Sequence, residues 1–335
     1  MEIQKWLQET MTRQERRAVP IMTHPGIELC GKTVKDAVTS GEVHAEAICR
    51  LNEQYPSAAP TVIMDLTVEA EAFGAKVVFP EDEVPSVTEP LVSDKESIDN
   101  LQIPSLDVGR VPEYLKANCL TAERVKDKPV FAGCIGPFSL AGRLFGLSEL
   151  MIALYVEPEN IAVLLEKCTR FLIDYTRAIK QTGVHGVIMA EPAAGLISND
   201  DCILYSTDYV RQIVDAVQNE NFMVILHNCG NFGHCTEAMV QSGAAGLHFG
   251  NKIDMAEALE NCPEDLLVMG NLDPVGLFKQ SSSEQVYAET MNLLKNTSQW
   301  KNFVLSTGCD VPPHVPSENI EAFYQALNSF NNRSV

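Results

Sequence analysis

The feature that most constrains the fold is an alternation of short apolar runs with longer amphipathic ones from about residue 120 onward. This alternation is typical of β/α units, in which a helix follows each strand and the strands form a parallel sheet. The stretch 159–181 has apolar residues at i, i+3 and i+4 spacing, which predicts a helix. The runs predicted to be strands are TVIMDL (61–66), PVFAGC (129–134), GVIMAEP (186–192), FMVILHNC (222–229), AGLHFG (245–250), LLVMGNL (266–272) and FVLSTGC (303–309).

Units of this kind form either an open sheet or a closed barrel. The strands are almost continuously apolar and carry polar residues at their carboxyl ends, which favours the barrel. No GxGxxG or GxxxxGK[ST] loop follows any predicted strand, as an open nucleotide-binding sheet would require. We therefore predict an α/β fold in which residues 1–335 form a single TIM-barrel, (β/α)8 domain. Residues 1–60 are predicted to be a helical cap, and residues 61–335 the barrel.

The composition of the chain argues against several classes of function and location. The 45 acidic and 25 basic residues give a formal net charge of −20, which repels nucleic acids and anionic membrane surfaces. The polar stretch MEIQKWLQETMTRQERR predicts a surface helix and lacks the apolar core of a signal peptide. Ten cysteines without a secretion signal are typical of a reducing compartment, so the sequence predicts a cytoplasmic protein without a transmembrane segment.

The end of the FMVILHNC run carries residues that bind metals. Zinc takes Cys and His ligands in a tetrahedral arrangement, and a catalytic site keeps three protein ligands and one open position. His227 and Cys229 are two residues apart on an extended segment, so they point the same way. Cys309 ends the last predicted strand, after Gly308, which allows a close backbone approach. Because the carboxyl ends of barrel strands meet on one face, these three residues are candidate metal ligands.

Two other interpretations of this segment stay open. In one, the strand simply ends among polar residues and binds no metal. In the other, His227, Cys229, His234 and Cys235 form a closed structural metal cluster. Against the closed cluster, NFGHCTEAMV is typical of a glycine-bearing turn that enters a helix, which would place His234 and Cys235 in the first turn of that helix.

Five further residues are candidates because of their position. Glu191 and Asp65 follow apolar runs and are predicted to be catalytic acids or bases, with Glu191 also a candidate metal ligand or a solvated carboxylate. His248 and Asn271 end two other predicted strands, and His24 lies in an N-terminal loop that could fold over the mouth. We predict that these last three residues bind substrate. The Pro-rich, acidic stretch 73–113 is predicted to form a hairpin and loop over the barrel mouth.

Several stretches together resemble one family. VPIMTHPGIELCGKTVKDAV, DLTVEAEAFGAKV, ILHNCGN, GNLDP and STGCDVPPHVPSENIEAF are similar to the uroporphyrinogen decarboxylase superfamily, and more closely to its corrinoid methyltransferase branch of the methylcobamide:coenzyme M type. In those methyltransferases an H-x-C pair and a distant cysteine hold zinc. The resemblance implies that His227, Cys229 and Cys309 are the corresponding ligands here.

The resemblance also implies a reaction. A β/α barrel of this branch binds zinc in its mouth and moves a methyl group between a methylated corrinoid and a thiol. The expected cofactor is zinc, with methylcobalamin or a protein-bound corrinoid as co-substrate. The expected partners are a corrinoid carrier protein and a small thiol such as coenzyme M. The identity of the donor and acceptor, the direction of transfer and the oligomeric state stay open.

Two rival functions remain at this point. The first is the metal-free decarboxylation of the parent family, whose central aspartate would correspond to Asp65. The decarboxylases hold their polycarboxylate substrate with an arginine-bearing N-terminal stretch, and VPIMTHPGIELCG has no arginine. The second is a non-catalytic zinc-binding partner subunit. No D-x-H-x-x-G corrinoid-carrier motif is present, so the sequence does not favour carriage of the cofactor.

Overall fold

The computed structural model describes residues 2–333. Its strands are β1 (Val77–Val78), β2 (Ser86–Val87), β3 (Phe131–Ile135), β4 (Gly186–Ala190), β5 (Met223–Asn228), β6 (Gly246–Phe249), β7 (Leu267–Leu272) and β8 (Phe303–Thr307). The helices are α1 (Ile3–Thr12), α2 (His24–Leu29), α3 (Val34–Thr39), α4 (Gly41–Gln54), α5 (Val68–Phe73), α6 (Lys95–Asn100), α7 (Val111–Arg124), α8 (Pro137–Phe145), α9 (Leu147–Val156), α10 (Pro158–Gln181), α11 (Asn199–Cys202), α12 (Asp208–Val217), α13 (Thr236–Gln241), α14 (Met255–Glu260), α15 (Ser283–Asn296) and α16 (Ser317–Arg333). A 3₁₀-helix spans Pro192–Leu196, and a π-helical turn spans Ile203–Thr207.

Strands β3 to β8 form one parallel sheet in which each strand pairs with the next in sequence. They coincide with six of the seven predicted runs, and all except β7 are completely buried. Helices follow the strands along the chain, as the alternation predicts, and the long helix α10 covers the predicted stretch 159–181. The parallel α/β architecture predicted from the sequence is confirmed.

The sheet continues on its β8 side into a short segment near the N-terminus. The Val19 amide donates to the Leu305 carbonyl at 2.9 Å, and the Leu305 amide donates to the Arg17 carbonyl at 3.1 Å. Ala18 forms a parallel bridge with Leu305. The sequence predicts only helices in residues 1–60, and this segment differs because Pro20, which has no N–H, limits it to a single bridge. One part of the predicted cap therefore lies in the barrel wall.

The predicted strand 61–66 is also reduced to a single bridge, between Thr61 and Phe131. The Val62 amide donates to the Phe131 carbonyl at 2.9 Å, but the next amide, that of Ile63, donates to His44 Nε2 at 2.9 Å instead of continuing the ladder. The Ala58 amide then donates to the Ala18 carbonyl at 2.8 Å. This bond joins the two short segments and closes the barrel.

The barrel interior is a separate apolar cluster. It is built from Ile3, Trp6, Val19, Ile21, Ala59, Phe131, Ile188, Met223, Ile225, Leu267, Met269 and Val304. Helix α1 contributes Ile3 and Trp6, and the Trp6 ring meets Phe131 edge-on with centroids 5.7 Å apart. Predicted from its polar sequence to be a surface helix, α1 buries these two side chains against one end of the barrel.

The stretch 73–113 contains the predicted hairpin, because β1 and β2 pair antiparallel.

Helices α8 and α9 follow β3, and α9 exposes Ile152, Tyr155 and Val156. Within residues 2–333 no single helix is long and apolar enough to cross a membrane; α8 and α9 have that length and composition only as a pair bent by 104°.

Candidate metal centre

Side-chain alternation along the parallel strands decides which strand-end residues face the barrel interior. Ile225 belongs to the interior cluster, so His227, two residues later on β5, faces the same way. Cys229 follows two residues after His227, just past the end of the strand and on the same side of the chain. Val304 is also an interior residue, which places Ser306 of β8 on the inner face. Polar side chains thus replace apolar ones at one end of the interior.

The structure brings the three predicted ligands together. The ligand atoms of His227, Cys229 and Cys309 all lie within 4.8 Å of one another. His227 is buried, whereas both cysteines are partly exposed. Across residues 2–333, this is the only group of three or more His, Cys, Asp or Glu side chains arranged closely enough to hold a metal ion.

Glycines allow the loops that carry the two cysteines to approach closely. A Cβ atom on Gly308 would lie 2.6 Å from the Asn251 nitrogen, and one on Gly250 would lie 2.6 Å from the Cys229 Cα. Both distances are shorter than real carbon contacts, so neither loop could keep its position with a larger residue. The Gly308 result supports the predicted close approach before Cys309.

The two thiols are coupled. A hydrogen bond from Cys309 lowers the pKa of Cys229 to about 7, although burial acts in the opposite direction. The same hydrogen bond, together with burial, raises the pKa of Cys309. Of the two thiols, Cys229 therefore loses its proton more readily, and its thiolate would be a soft metal ligand.

His227 completes a donor set that fits zinc. Its Nδ1 contacts His248, whereas Nε2 is buried and has no hydrogen-bond partner. A buried polar nitrogen without a partner is costly, and an ion beside the two sulfurs would satisfy it. One imidazole and two thiol ligands match the three-ligand sites in which zinc keeps a position for substrate.

His234 and Cys235 lie outside this group, as the open-site interpretation predicts. His234 Nε2 is 3.1 Å from the Ile197 carbonyl, and the Cys235 thiol contacts the carbonyls of Ala194 and Ile197 at 3.6 and 3.5 Å. Cys235 immediately precedes helix α13. Both side chains therefore attach the start of this helix to the 3₁₀ turn, and the closed four-residue cluster does not form.

Glu191 follows β4 but faces away from the interior, because Ile188 belongs to the interior cluster and Ala190, two residues later, shares its face. Its carboxylate accepts hydrogen bonds from the Phe138 and Ser139 amides at the start of α8 and from the Ser206 hydroxyl. Burial raises the pKa of Glu191 to about 8 although these bonds favour the ionised form. Its predicted catalytic role stays a prediction, and the structure does not place it among the metal ligands.

Asp65 is likewise held on the helix side of the barrel, beside the inward-packed Met64. One carboxylate oxygen accepts from the amide and hydroxyl of Thr67, both at 2.8 Å. The other accepts from Tyr114 at 2.7 Å and from the Arg110 guanidinium. All four acceptor positions of this buried carboxylate are therefore occupied.

The three predicted substrate-binding residues have different surroundings. His24 is the first residue of α2, and its Nδ1 lies 2.9 Å from the Val311 carbonyl and 3.5 Å from Asp310, next to Cys309. Burial is the largest single effect and disfavours the His24 cation, but Asp310, the Val311 carbonyl and Glu28 together outweigh it and raise the pKa. His248 is completely buried behind His227, and the Asn271 amide donates to two backbone carbonyls of the loop after β6. Substrate binding by these residues stays a prediction.

A comparison with protein-family models identifies the family to which the chain belongs. The model of the family described as uroporphyrinogen decarboxylase (URO-D) matches residues 11–330. The chain belongs to the uroporphyrinogen decarboxylase family. This family includes relatives of both chemistries considered from the sequence.

Curated relatives of the two kinds cover most of the chain. The methylcobamide:CoM methyltransferase MtbA of Methanosarcina mazei is 29% identical over 312 residues, which is 89% of this chain and 90% of the relative. The uroporphyrinogen decarboxylase of Serratia proteamaculans is 26% identical over 302 residues, covering 85% of this chain and 84% of the relative. A solved methyltransferase from Methanosarcina mazei superposes with a TM-score of 0.88 at 22% identity, over 98% of this chain and 99% of that one. This last likeness establishes the shared TIM-barrel fold.

Sequence reasoning missed two groups of residues around the family's barrel mouth. Arg110, near the end of the stretch predicted as a hairpin and loop, and Tyr114, just after that stretch, bind Asp65, and no local pattern links them to it. Ser306 contacts His248 and lies inside the FVLST run. The sequence does contain a signal for Ser306, because a polar residue two positions after an inward-facing apolar residue lies on the same face of the strand.

Proposed function

We propose that the protein is a zinc-dependent methyltransferase that moves a methyl group between a methylated corrinoid, free or protein-bound, and a thiol. The observation that carries this proposal is the open cluster of one imidazole and two thiols, with the buried His227 Nε2 left without a partner. The similarity to methylcobamide:CoM methyltransferases at 29% identity supports methyl transfer as the reaction class.

The residues of the chain have distinct tasks in this proposal. His227, Cys229 and Cys309 would bind zinc, which would keep a coordinated acceptor thiol deprotonated at neutral pH. The partial exposure of both cysteines gives an acceptor access from solvent. The apolar interior below the cluster, including Ile225 and Met269, keeps water away from the other side.

The substrates are assigned by chemical class. The acceptor sulfur would form a bond to the methyl carbon as the carbon–cobalt bond breaks, with the electron pair left on cobalt and the thiol proton released to solvent. A small thiol such as coenzyme M fits the acceptor role, and a corrinoid carrier protein or free methylcobalamin the donor role. We assign Glu191 and Asp65 no proton transfer, because both carboxylates are buried and hydrogen-bonded outside the cluster.

The geometry does not favour the rival decarboxylase chemistry. A substrate that bound the central aspartate would have to displace donors from Asp65, whose two oxygens already accept four hydrogen bonds. Arg110, which could otherwise hold a substrate carboxylate, is buried and paired with Asp65 and Glu71.

The activity test uses the purified protein with methylcobalamin and a panel of thiols, followed by the visible absorbance change of the corrinoid. We expect demethylation that depends on both the thiol and zinc. Activity on uroporphyrinogen after metal removal would instead select the decarboxylase. If neither reaction occurs while zinc stays bound, the proposed reaction is refuted, and the result favours a zinc-binding role or a different substrate.

The metal test compares two cysteine variants. We expect about one zinc ion per chain in the native protein and loss of tight binding in Cys309→Ala. Cys235→Ala is the matched control, because this cysteine lies in the same region but outside the cluster. Zinc content that is unchanged in Cys309→Ala, or lost in Cys235→Ala, would contradict the ligand assignment.

A further inference from the structure

A chain of hydrogen bonds runs from the barrel wall to the metal ligand His227. The Ser306 hydroxyl lies 2.8 Å from the Val19 carbonyl and 2.8 Å from His248 Nε2. His248 Nδ1 lies 2.8 Å from His227 Nδ1. All three side chains are buried: His227 and His248 lie on the paired strands β5 and β6, and Ser306 lies on β8, on the other side of β7.

The direction of every hydrogen bond in this series is set by the carbonyl of Val19, at which the series begins. The Val19 carbonyl only accepts, so the single Ser306 hydroxyl hydrogen points at it, and Ser306 Oγ then accepts from His248 Nε2–H. The His248 ring is completely buried, and within residues 2–333 it forms no ion pair with a carboxylate; because a buried cation without a counter-charge is costly, the ring is neutral. With its hydrogen on Nε2, the ring presents a bare Nδ1 lone pair to His227.

His227 therefore has one allowed tautomer. Its Nδ1 faces two atoms that can only accept, His248 Nδ1 at 2.8 Å and the His248 carbonyl at 3.3 Å, so Nδ1 carries the hydrogen. Nε2 is left with a lone pair, and this nitrogen is the buried atom without a partner beside the two thiols. An isolated imidazole would instead exchange between both tautomers.

We propose that His248 and Ser306 are positioning residues that hold His227 in the tautomer able to bind a metal through Nε2. This inference rests on the proposed metal site but goes beyond it, because it assigns a task to two residues outside the ligand set. The rings of His227 and His248 also meet edge-on, with centroids 4.6 Å apart, which restricts the rotation of His227. Partners of this kind typically change metal affinity 10–100-fold.

The first test needs no metal. Nitrogen-15 spectra of the histidine rings in the metal-free protein report which nitrogen of His227 is protonated. We expect the Nδ1–H form in the native protein, and a mixture of tautomers in His248→Phe, which keeps a flat ring but offers no acceptor. A native His227 protonated on Nε2, or an unchanged tautomer in His248→Phe, would overturn the inference.

The second test measures zinc affinity by competition with a chromogenic chelator. His248→Phe is expected to bind zinc 10–100-fold more weakly than the native protein, and Ser306→Ala to weaken it less. Ser306→Thr keeps the hydroxyl and should restore the native affinity. Because Ser306→Ala removes one oxygen only, it provides the comparison if His248→Phe does not fold.

The two proposals fail in different ways. Loss of binding in Cys309→Ala with native affinity in both His248→Phe and Ser306→Ala would refute the positioning role and leave the metal site intact. Absence of zinc binding in the native protein would refute the metal site, while the tautomer spectra would still decide the positioning role.

Discussion

Two sets of polar residues lie near the carboxyl ends of different wall segments of the barrel, and they have opposite surroundings. His227, His248 and Ser306 face the interior, where one buried nitrogen is left without a partner beside two thiols. Asp65 and Glu191 face the helices, where backbone and side-chain donors satisfy their carboxylates. A strand-end position is therefore insufficient to identify a site residue. The parity of the position along the strand decides whether the side chain enters the mouth.

The largest expected effect on the helix side comes from Asp65→Asn. The substitution leaves the buried Arg110 cation without its full counter-charge, which costs about 3–5 kcal/mol of the free energy of unfolding. Urea unfolding measures this loss, and zinc per folded chain should be unchanged. Glu71→Gln is the control, because Glu71 also pairs with Arg110 but is partly exposed. If Asp65→Asn kept native stability but lost methyl transfer, Asp65 would belong to the catalytic site, which would contradict the proposed difference between interior-facing and helix-facing residues.

The second prediction concerns Glu191→Gln and pH. The pKa of Glu191 is about 8 in the folded protein and near 4.3 in an unfolded chain, so the folded state binds more protons between these values. Its contribution to stability is complete below about pH 4 and is lost as the pH rises through 8.

Because glutamine does not titrate, the native protein should lose roughly 3 kcal/mol relative to Glu191→Gln between pH 5 and pH 8. Denaturant unfolding of both proteins across this range is the measurement. If the free energy of unfolding changed with pH in the same way in both proteins, and the variant lost methyl transfer at every pH, Glu191 would have a role in the reaction.

The smallest effect is expected on the interior side, from Gly308→Ala. The added methyl would meet Asn251 and must displace the end of β8, at a cost of about 1–3 kcal/mol. Since Cys309 is the next residue, zinc affinity should fall together with stability. Gly246→Ala is the control, because a Cβ there meets its neighbours at an ordinary 3.4 Å. Unchanged zinc affinity in a destabilised Gly308→Ala protein would show that the position of Cys309 tolerates this shift.

Much of the barrel could be predicted because its strands are short apolar runs between amphipathic helices. Strands β3 to β8 match their predicted runs closely. The two remaining wall segments could not be predicted correctly, because their hydrogen bonds depend on distant partners. Pro20 interrupts the first, and the Ile63 amide in the second donates to His44 of helix α4. Neither contact leaves a local pattern in the sequence.

The grouping of the three proposed metal ligands was predictable for a similar reason. His227 and Cys229 share a strand end, and the barrel topology brings Cys309 to the same face. The full satisfaction of Asp65 and Glu191 was not predictable. Only Thr67 is local to Asp65, and the other donors come from distant elements, including α7, α8 and the π-helical turn, whose approach is set by tertiary packing. The inward direction of His248 follows from parity, but its contact with Ser306 requires the curvature of the closed barrel.

The bond between Ser306 and Val19 joins residues 287 positions apart. During synthesis the chain emerges from its N-terminus, so His227 and Cys229 leave the ribosome well before Ser306 and Cys309 exist. We expect a nascent chain at that stage to have only two of the three proposed ligands and an imidazole free to exchange its proton between both nitrogens. Tight metal capture should therefore be a late event that reports completed folding, when the last strand has paired with the first segment.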